Sequence, residues 1–138
     1  MNVVPDTNVR IELFRNPAKK AEFEARTRRP LLYMSSVVAL ELFAGCRTEW
    51  QRASISGFLK PFEKAGRVVT PDHASYQQAG KALAKLGEAG MGIAARRQIV
   101  NDVMIAVTAA RFGAVVVAAN VHDFALIEKH VPVRWMRF

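Results

Sequence analysis

The chain has 138 residues, the usual length of one domain, and its 51% hydrophobic content is sufficient to form a core. Its 20 Lys and Arg residues exceed its 12 Asp and Glu residues, so the formal charge is +8. This charge favours a polyanionic partner, with nucleic acid ahead of an acidic protein or of simple solubility. No apolar run has the roughly 18 residues of a membrane span, and no secretory hydrophobic region follows the start, so we expect one cytoplasmic domain over residues 1–138.

The first half of the chain alternates short apolar segments with helix signals. Asp6 begins a cluster of good N-cap residues, Pro17 suits the first turn of an exposed helix, and Ser35 can cap the helix that follows the second strand. The helices predicted over 37–46 and 49–64 are expected to bury an apolar face that includes Leu40, Phe43 and Trp50. The predicted strands cover residues 2–5, 31–34 and 68–70, and the predicted helices cover 9–14, 18–28, 37–46 and 49–64.

The second half continues the alternation. Asp72 starts a helix with Tyr76 directed inward, and this helix ends in the glycine-rich segment 87–92, which we expect to be a mobile loop. No strand precedes these glycines and no Gly-Lys-Ser/Thr follows them, so they do not form a phosphate-binding loop. The remaining predicted elements are a central buried helix over 99–110, a strand over 114–118, a short helix over 124–129 and a last strand over 133–135.

This order predicts a parallel sheet of about five strands with right-handed crossovers and helices on both faces. In such sheets the active site lies outside the carboxyl ends of the strands. Asp6 follows the first strand, Ser35 the second, and Asn120 with Asp123 the fourth. Glu41 lies one to two turns into the helix that Ser35 starts.

Four acidic residues stand in apolar surroundings, where an ionised carboxylate is costly unless it is paired or bound to a cation. Each has a structural alternative. Asp6, Asp102 and Asp123 could be helix caps, and Glu41 could face solvent. Four separate structural explanations for acids at one edge of one sheet are less plausible than a single metal site that the four acids share.

Other chemistries find less support. His122 is close to the proposed site in sequence, but a single histidine among carboxylates is more often a residue of the rim. Ser35 and Ser36 lack the Gly-x-Ser-x-Gly elbow of serine hydrolases. Cys46 is the only cysteine, which excludes an intramolecular disulfide and a cysteine-ligated zinc site.

Four motifs follow one another along the chain. They are Asp-Thr-Asn at 6–8, Ser-x-x-x-x-x-Glu-Leu at 35–42, Asn-Asp-x-x-Ile-Ala at 101–106 and Asn-x-x-Asp-Phe at 120–124. In this order and spacing they resemble the motifs of the PIN-domain family, and most of all those of the VapC toxins of bacterial type II toxin–antitoxin pairs. The match extends over nearly the whole chain, and the order and spacing are highly specific.

The resemblance implies a three-layer α/β/α fold and an endoribonuclease that depends on Mg²⁺ or Mn²⁺. Oxygen ligands suit these ions better than zinc. The implied partners are an RNA substrate, a small VapB-like antitoxin and a second copy of the chain in a homodimer. The implied catalytic and metal-binding acids are Asp6, Glu41, Asp102 and Asp123, and the implied supporting residues are Asn120, Ser35 and Asn8.

Basic and apolar residues near the motifs are expected to hold the two macromolecular partners. The arginines nearest to the motifs in sequence, which would lead RNA to the site, are Arg10, Arg15, Arg47, Arg96 and Arg97. The antitoxin would lie along the early helices, on Leu13, Phe14, Phe43, Trp50 and Phe58.

Two departures from the family pattern stand out. Ala118 replaces the Thr or Ser common at the end of the fourth strand, and Pro5 precedes Asp6, where it removes a backbone donor. A phosphatase of the haloacid-dehalogenase type is disfavoured, because Asn8 occupies the place of its second Asp. A catalytically silent RNA- or protein-binding module of the same fold stays as the alternative.

Overall fold

The computed structural model describes residues 1–138 as six strands and seven helices in near alternation. All strand pairings are parallel, as the sequence predicts. None of the helices has the length and apolar character that crossing a membrane requires. The strands are β1 (Asn2–Pro5), β2 (Leu31–Leu32), β3 (Met34–Ser35), β4 (Val68–Val69), β5 (Val115–Ala118) and β6 (Arg134–Arg137).

Local signals fix most helix ends. Asn16 caps the second helix with Pro17 in its first turn, Asp72 and Ser75 form a capping box at the fifth, and Gly113 ends the sixth with a φ of 80°. The helices are α1 (Thr7–Arg15), α2 (Pro17–Arg26), α3 (Ser36–Ala44), α4 (Glu49–Lys64), α5 (His73–Glu88), α6 (Ile93–Phe112) and α7 (Val121–Ile127).

The main sheet has the order β2-β1-β5-β6, and β3 pairs with β4 beside it. The predicted second strand is divided at Tyr33, because the chain changes partner there. Tyr33 N donates to Val3 O of β1, whereas Met34 N donates to Arg67 O just before β4. The expected sheet of about five strands is therefore a four-stranded sheet with a two-stranded extension.

Helices cover both faces of the sheet, which confirms the three-layer fold. Successive residues of β1 show this, since Val3 and Val4 point to opposite faces of the sheet, are both fully buried and belong to different clusters. The smaller cluster joins β1 and β5 to α1 and α2, and the larger one joins them to α3, α4, α5, α6 and α7. The smaller cluster consists of Val3, Val9, Leu13, Phe23, Val115 and Val117.

Two predicted boundaries were wrong around the glycine-rich segment. Helix α5 continues through Gly87 to Glu88, and α6 begins at Ile93 rather than Ile99. The predicted mobile loop is thus reduced to residues 89–92, where Gly90 adopts a φ of 105°. Gly87 lies within α5, and its missing side chain leaves room for the Arg96 side chain of α6. A Cβ at Gly87 would lie 2.7 Å from Arg96 Nη1.

Several side chains predicted to pack inside are exposed. Leu40 and Phe43 of α3, Trp50 of α4 and Tyr76 of α5 all belong to the exposed large hydrophobic residues, with Trp50 78% accessible. Helix α3 is apolar on nearly all sides, but only Val37, Val38 and Leu42 are buried. A helix has one face toward the core, so the surplus apolar residues remain on the surface.

Candidate metal centre

Asp6 joins the ends of β1 and β5 and starts α1. Its Oδ1 accepts a hydrogen bond from Val9 N (2.8 Å), and its Oδ2 accepts one from Ala119 N (3.0 Å). The cap predicted as the structural alternative is therefore present, within a residue that is only 2% exposed. Burial raises the pKa of the Asp6 carboxyl, while the hydrogen bonds from Val9 and Ala119 lower it.

Glu41, on the second turn of α3, is held by a residue that sequence reasoning missed. Thr7 Oγ1 donates a hydrogen bond of 2.6 Å to Glu41 Oε1. Because Thr7 directly follows Asp6, this hydrogen bond connects the chain at Asp6 to the side chain of Glu41, a second predicted acid. The signal in the sequence was a hydroxyl directly beside an acid at a strand end.

Asp102 lies on α6 and differs from the other acids because its carboxylate accepts no hydrogen bond from the protein. Its pKa is raised to about 7, first by burial and then by the negative charges of Asp6, Asp123 and Glu41, in that order of effect. The four predicted acids are therefore close enough to repel one another. A cation would relieve this repulsion.

Asp123 and Asn120 belong to the first turn of α7. Asn120 Oδ1 accepts from Asp123 N (3.2 Å) and caps the helix, and Asn120 Nδ2 donates to Asp123 Oδ2 (2.6 Å). Asn120 lines a polar cavity between β1, α3, α6 and α7, described below, whereas Asp123 does not line it. Asp123 acts on the site through its charge and through Asn120.

A polar cavity of about 160 Å³ lies between these elements. None of its lining residues is hydrophobic, which is unusual for a recess in a protein with so large an apolar content. Gln98, one turn before Asp102, had not been singled out from the sequence, and Asn101 had been named only as the first residue of the motif at 101–106. The lining residues are Asp6, Thr7, Asn8, Glu41, Gln98, Asn101, Asp102 and Asn120.

The two remaining supporting residues have different positions. Asn8 lines the cavity and is exposed. Ser35 is buried and lies outside the cavity lining, where its Oγ accepts hydrogen bonds from Val37 N (3.1 Å) and Val38 N (3.5 Å). Ser35 therefore sets the start of the helix that carries Glu41.

The donor set fits Mg²⁺ or Mn²⁺ in its chemistry, since every side chain around the cavity offers oxygen. No three Asp, Glu, His or Cys side chains lie close enough together to hold an ion between them. Asp6, Glu41 and Asp123 each hydrogen-bond to a protein donor instead, and their charges repel. Mg²⁺ commonly uses one or two carboxylates and keeps several waters, so this arrangement suits Mg²⁺ better than an all-protein cage would.

The five arginines near the motifs separate into two groups. Arg15, Arg47 and Arg97 are exposed, whereas Arg10 is 2% exposed and Arg96 packs over α5. Because Arg10 is buried, it does not belong to the exposed basic surface that was expected to lead RNA to the site. Arg97 precedes Gln98 of the cavity and is the exposed arginine nearest to the site along α6.

A family model described as PIN domain matches residues 3–129. The chain belongs to the PIN-domain family. Among solved structures, a chain of the DNA-bound VapBC structure from Salmonella typhimurium is similar to it, with a TM-score of 0.72, 24% identity and coverage of 99% of this chain and 98% of that one.

Other solved structures share the fold of this PIN domain at similar distance. VapBC-1 from nontypeable Haemophilus influenzae has a TM-score of 0.68 and 24% identity, and VapBC-5 from Mycobacterium tuberculosis has a TM-score of 0.66 and 19% identity. Both alignments cover 99% of this chain and 98% of the other. A comparison with curated proteins gives no significant match.

The two departures of this PIN domain from its family pattern have local explanations. Pro5 is the last residue of β1, where a missing N–H does least damage to the ladder, and Asp6 N donates to Val117 O directly after it. Ala118 is fully buried at the end of β5. The contact to Asp6 from this strand end comes from the backbone N–H of Ala119, which needs no hydroxyl.

Proposed function

We propose that this PIN domain is a Mg²⁺- or Mn²⁺-dependent endoribonuclease and the toxin of a VapBC-type toxin–antitoxin pair. The observation that carries the nuclease proposal is the carboxylate of Asp102, which has no hydrogen-bond donor and is surrounded by the charges of Asp6, Glu41 and Asp123. Such a group needs a cation, and a divalent ion is the cation that an all-oxygen cavity selects.

Asp102 and Asp6 would hold the ion, with Glu41 and the Asn120–Asp123 pair around it. When bound, a divalent ion lowers the pKa of water and offsets the charge that develops on the phosphate during hydrolysis. The protein contributes fixed positions. Thr7 orients Glu41, and the backbone N–H groups of Val9 and Ala119 orient Asp6, so these two acids would be held in fixed positions around the ion.

RNA is the proposed substrate because the net charge of +8 suits a polyanion and the exposed Arg97 directly precedes Gln98 of the cavity lining. Contacts with phosphates give affinity that depends on salt but carry little sequence choice. The cavity is open, and the cleaved RNA would be selected by the shape of the surface around it.

The nuclease proposal is tested by incubating purified chain with total RNA and Mg²⁺ or Mn²⁺ and mapping the cleaved ends. Asp102→Asn and Asp6→Asn are expected to abolish cleavage, while Asp72→Asn, at the cap of α5 outside the cavity, retains it. Undiminished cleavage by either site variant would falsify the assignment. Absence of metal-dependent cleavage by the wild-type chain would favour the catalytically silent RNA- or protein-binding module.

The antitoxin proposal rests on an apolar groove between α1, α3 and α4. It has a volume of about 380 Å³ and is lined by exposed aromatic residues, among them Phe14 and Trp50. Of the five residues expected to hold the antitoxin, Phe14, Trp50 and Phe58 line the groove, Phe43 lies outside it and Leu13 is buried in the smaller cluster. The similar structures are VapBC assemblies, which supports an antitoxin as the occupant.

The pairing is tested by coexpressing the chain with the product of the neighbouring open reading frame. Trp50→Ala is expected to weaken the complex at least tenfold, because Trp50 is the most exposed aromatic residue of the groove. Tyr76→Ala removes a comparably exposed ring on α5 and serves as the matched control. The proposed homodimer is a separate prediction, which analytical ultracentrifugation of the chain alone would check.

A further inference from the structure

Arg10 is the largest fully buried side chain of the protein and lines the apolar groove. Its only hydrogen bond runs from Nη2 to the backbone oxygen of Tyr33, at 2.7 Å. Its Cζ lies 4.9 Å from the centroid of the Phe62 ring, which covers one side of the guanidinium. The Nε is buried and has no acceptor.

This environment leaves a cation without an anion. A guanidinium carries five N–H donors, and burying it unpaired is costly. Burial lowers the pKa of Arg10 to about 10, so it remains charged at neutral pH. No carboxylate lies within ion-pair distance of Arg10, although Glu41 lines the same groove.

The surroundings of Arg10 decide which anion fits. Seven of the thirteen residues that line the groove are hydrophobic, including Ile11, Phe14 and Phe58. An RNA backbone would have to lose its hydration against these side chains, whereas a peptide segment can set apolar residues on them and one carboxylate on the arginine. A planar carboxylate also matches the two-pronged donor geometry of a guanidinium.

We infer that Arg10 is a carboxylate-binding subsite of the groove, and that the segment bound there carries an Asp or Glu, or its own C-terminal carboxylate, flanked by apolar residues. The inference rests on the proposed antitoxin pairing and deepens it. Glu41 lines both the groove and the polar cavity, so a segment anchored on Arg10 ends beside the candidate metal centre. Arg10 thereby sets the register in which the partner reaches the site.

The test is a double-mutant cycle measured by calorimetry with the antitoxin from the neighbouring reading frame. Each Asp and Glu of the antitoxin is replaced singly by Asn or Gln, and its C-terminus is amidated. One of these changes is expected to weaken binding to the wild-type chain at least tenfold and to Arg10→Met less than twofold. Arg15→Met is the matched control, because Arg15 lines the same groove but is exposed, and exposed pairs contribute little.

The free chain gives a second readout. Replacing a buried, unpaired Arg by Met is expected to leave the melting temperature equal or higher while weakening the complex at least tenfold. If Arg10→Met does not fold, Arg10→Lys replaces it in the test. Lys keeps the positive charge but lacks the planar pair of N–H donors, so this variant is expected to bind the antitoxin several-fold more weakly. Unchanged affinity in whichever variant folds overturns the inference.

The other outcomes also decide. Binding of the antitoxin without any carboxylate that couples to Arg10 overturns the inference and leaves the pairing intact. Failure of the antitoxin to bind the wild-type chain overturns the proposed pairing and the inference with it. Loss of RNA cleavage in Arg10→Met with unchanged antitoxin affinity would identify an RNA phosphate as the ligand, against the inference.

Discussion

Thr7 Oγ1 and Glu41 Oε1, 34 positions apart in sequence, are joined by a hydrogen bond of 2.6 Å. Thr7 follows Asp6 directly, so this bond fixes the distance between two acids that come from different strands and helices. It also gives Glu41 one defined orientation in a site where neighbouring charges repel it. The hydroxyl therefore positions an acid rather than taking part in the reaction itself.

Thr7→Val is expected to lower metal-dependent RNA cleavage by about 10- to 100-fold, the usual effect of removing a group that orients a ligand. Thr7→Ser should restore most of the rate, because it keeps the hydroxyl. Cleavage rates at several metal concentrations would measure the effect. Thr27→Val is the control, since the Thr27 hydroxyl bonds only to Phe23 O in α2. Equal rates for Thr7→Val and the wild-type chain would contradict the role.

Asp102 predicts a pH dependence of stability in the metal-free protein. Its pKa is about 7 in the folded chain and near 3.8 when unfolded, so the folded state binds the proton more tightly. The contribution of Asp102 to stability is therefore fully present below pH about 4 and is lost as pH rises to about 7. Asp102→Asn is expected to raise the melting temperature in EDTA by more at pH 8 than at pH 5.

Asp72 serves as the control for this experiment, because its pKa is shifted in the opposite direction to that of Asp102. Hydrogen bonds from Ser75 lower the pKa of Asp72, so its contribution is present at neutral pH and is lost as pH falls. Asp72→Asn should thus lower the melting temperature at pH 8. Mg²⁺ is expected to stabilise the wild-type chain and to have little effect on Asp102→Asn. If Asp102→Asn melts at a lower temperature than the wild-type chain at pH 8 in EDTA, charge repulsion at Asp102 does not destabilise the metal-free protein as expected.

Asp6 combines a structural and a chemical role, and two substitutions separate them. Asn at this position keeps an oxygen for Val9 N, so Asp6→Asn should fold and fail to cleave RNA. Asp6→Ala loses the cap as well and is expected to cost about 1–2 kcal/mol, measured by urea unfolding. Asp72→Ala removes a cap remote from the cavity, so it should show a similar cost with cleavage retained.

Phe124 anchors α7, whose N-terminus places Asn120 in the lining of the cavity and Asp123 next to Asn120. Its side chain is fully buried and packs against Trp135, with ring centroids 6.3 Å apart. Phe124→Ala is expected to destabilise the fold by about 3–5 kcal/mol, a large share of the stability of a small domain. Phe112→Ala, at a 44% exposed ring, should cost less than about 1.5 kcal/mol. Chemical denaturation of both variants would compare them.

The sequence predicted the parallel α/β order and the acids because these depend on local patterns. Strand β5 is a run of β-branched residues, and Asp6 follows an apolar strand, so both signals lie within a few residues. The division of the second strand at Tyr33 was not predictable, since it depends on hydrogen bonds to Val3 and Arg67. The start of α6 at Ile93 was missed because residues 93–98 are largely exposed and show little apolar periodicity.

Composition and motif spacing by themselves predicted a basic α/β protein of one domain with Asp6, Glu41, Asp102 and Asp123 as its candidate acids. Only the tertiary structure decided what surrounds each of them. It brought Thr7 to Glu41, left Asp102 without a donor and buried Arg10 beneath the groove. The reason is physical, since burial and hydrogen-bond partners come from elements distant in the chain, and these set the charge, orientation and exposure of each side chain.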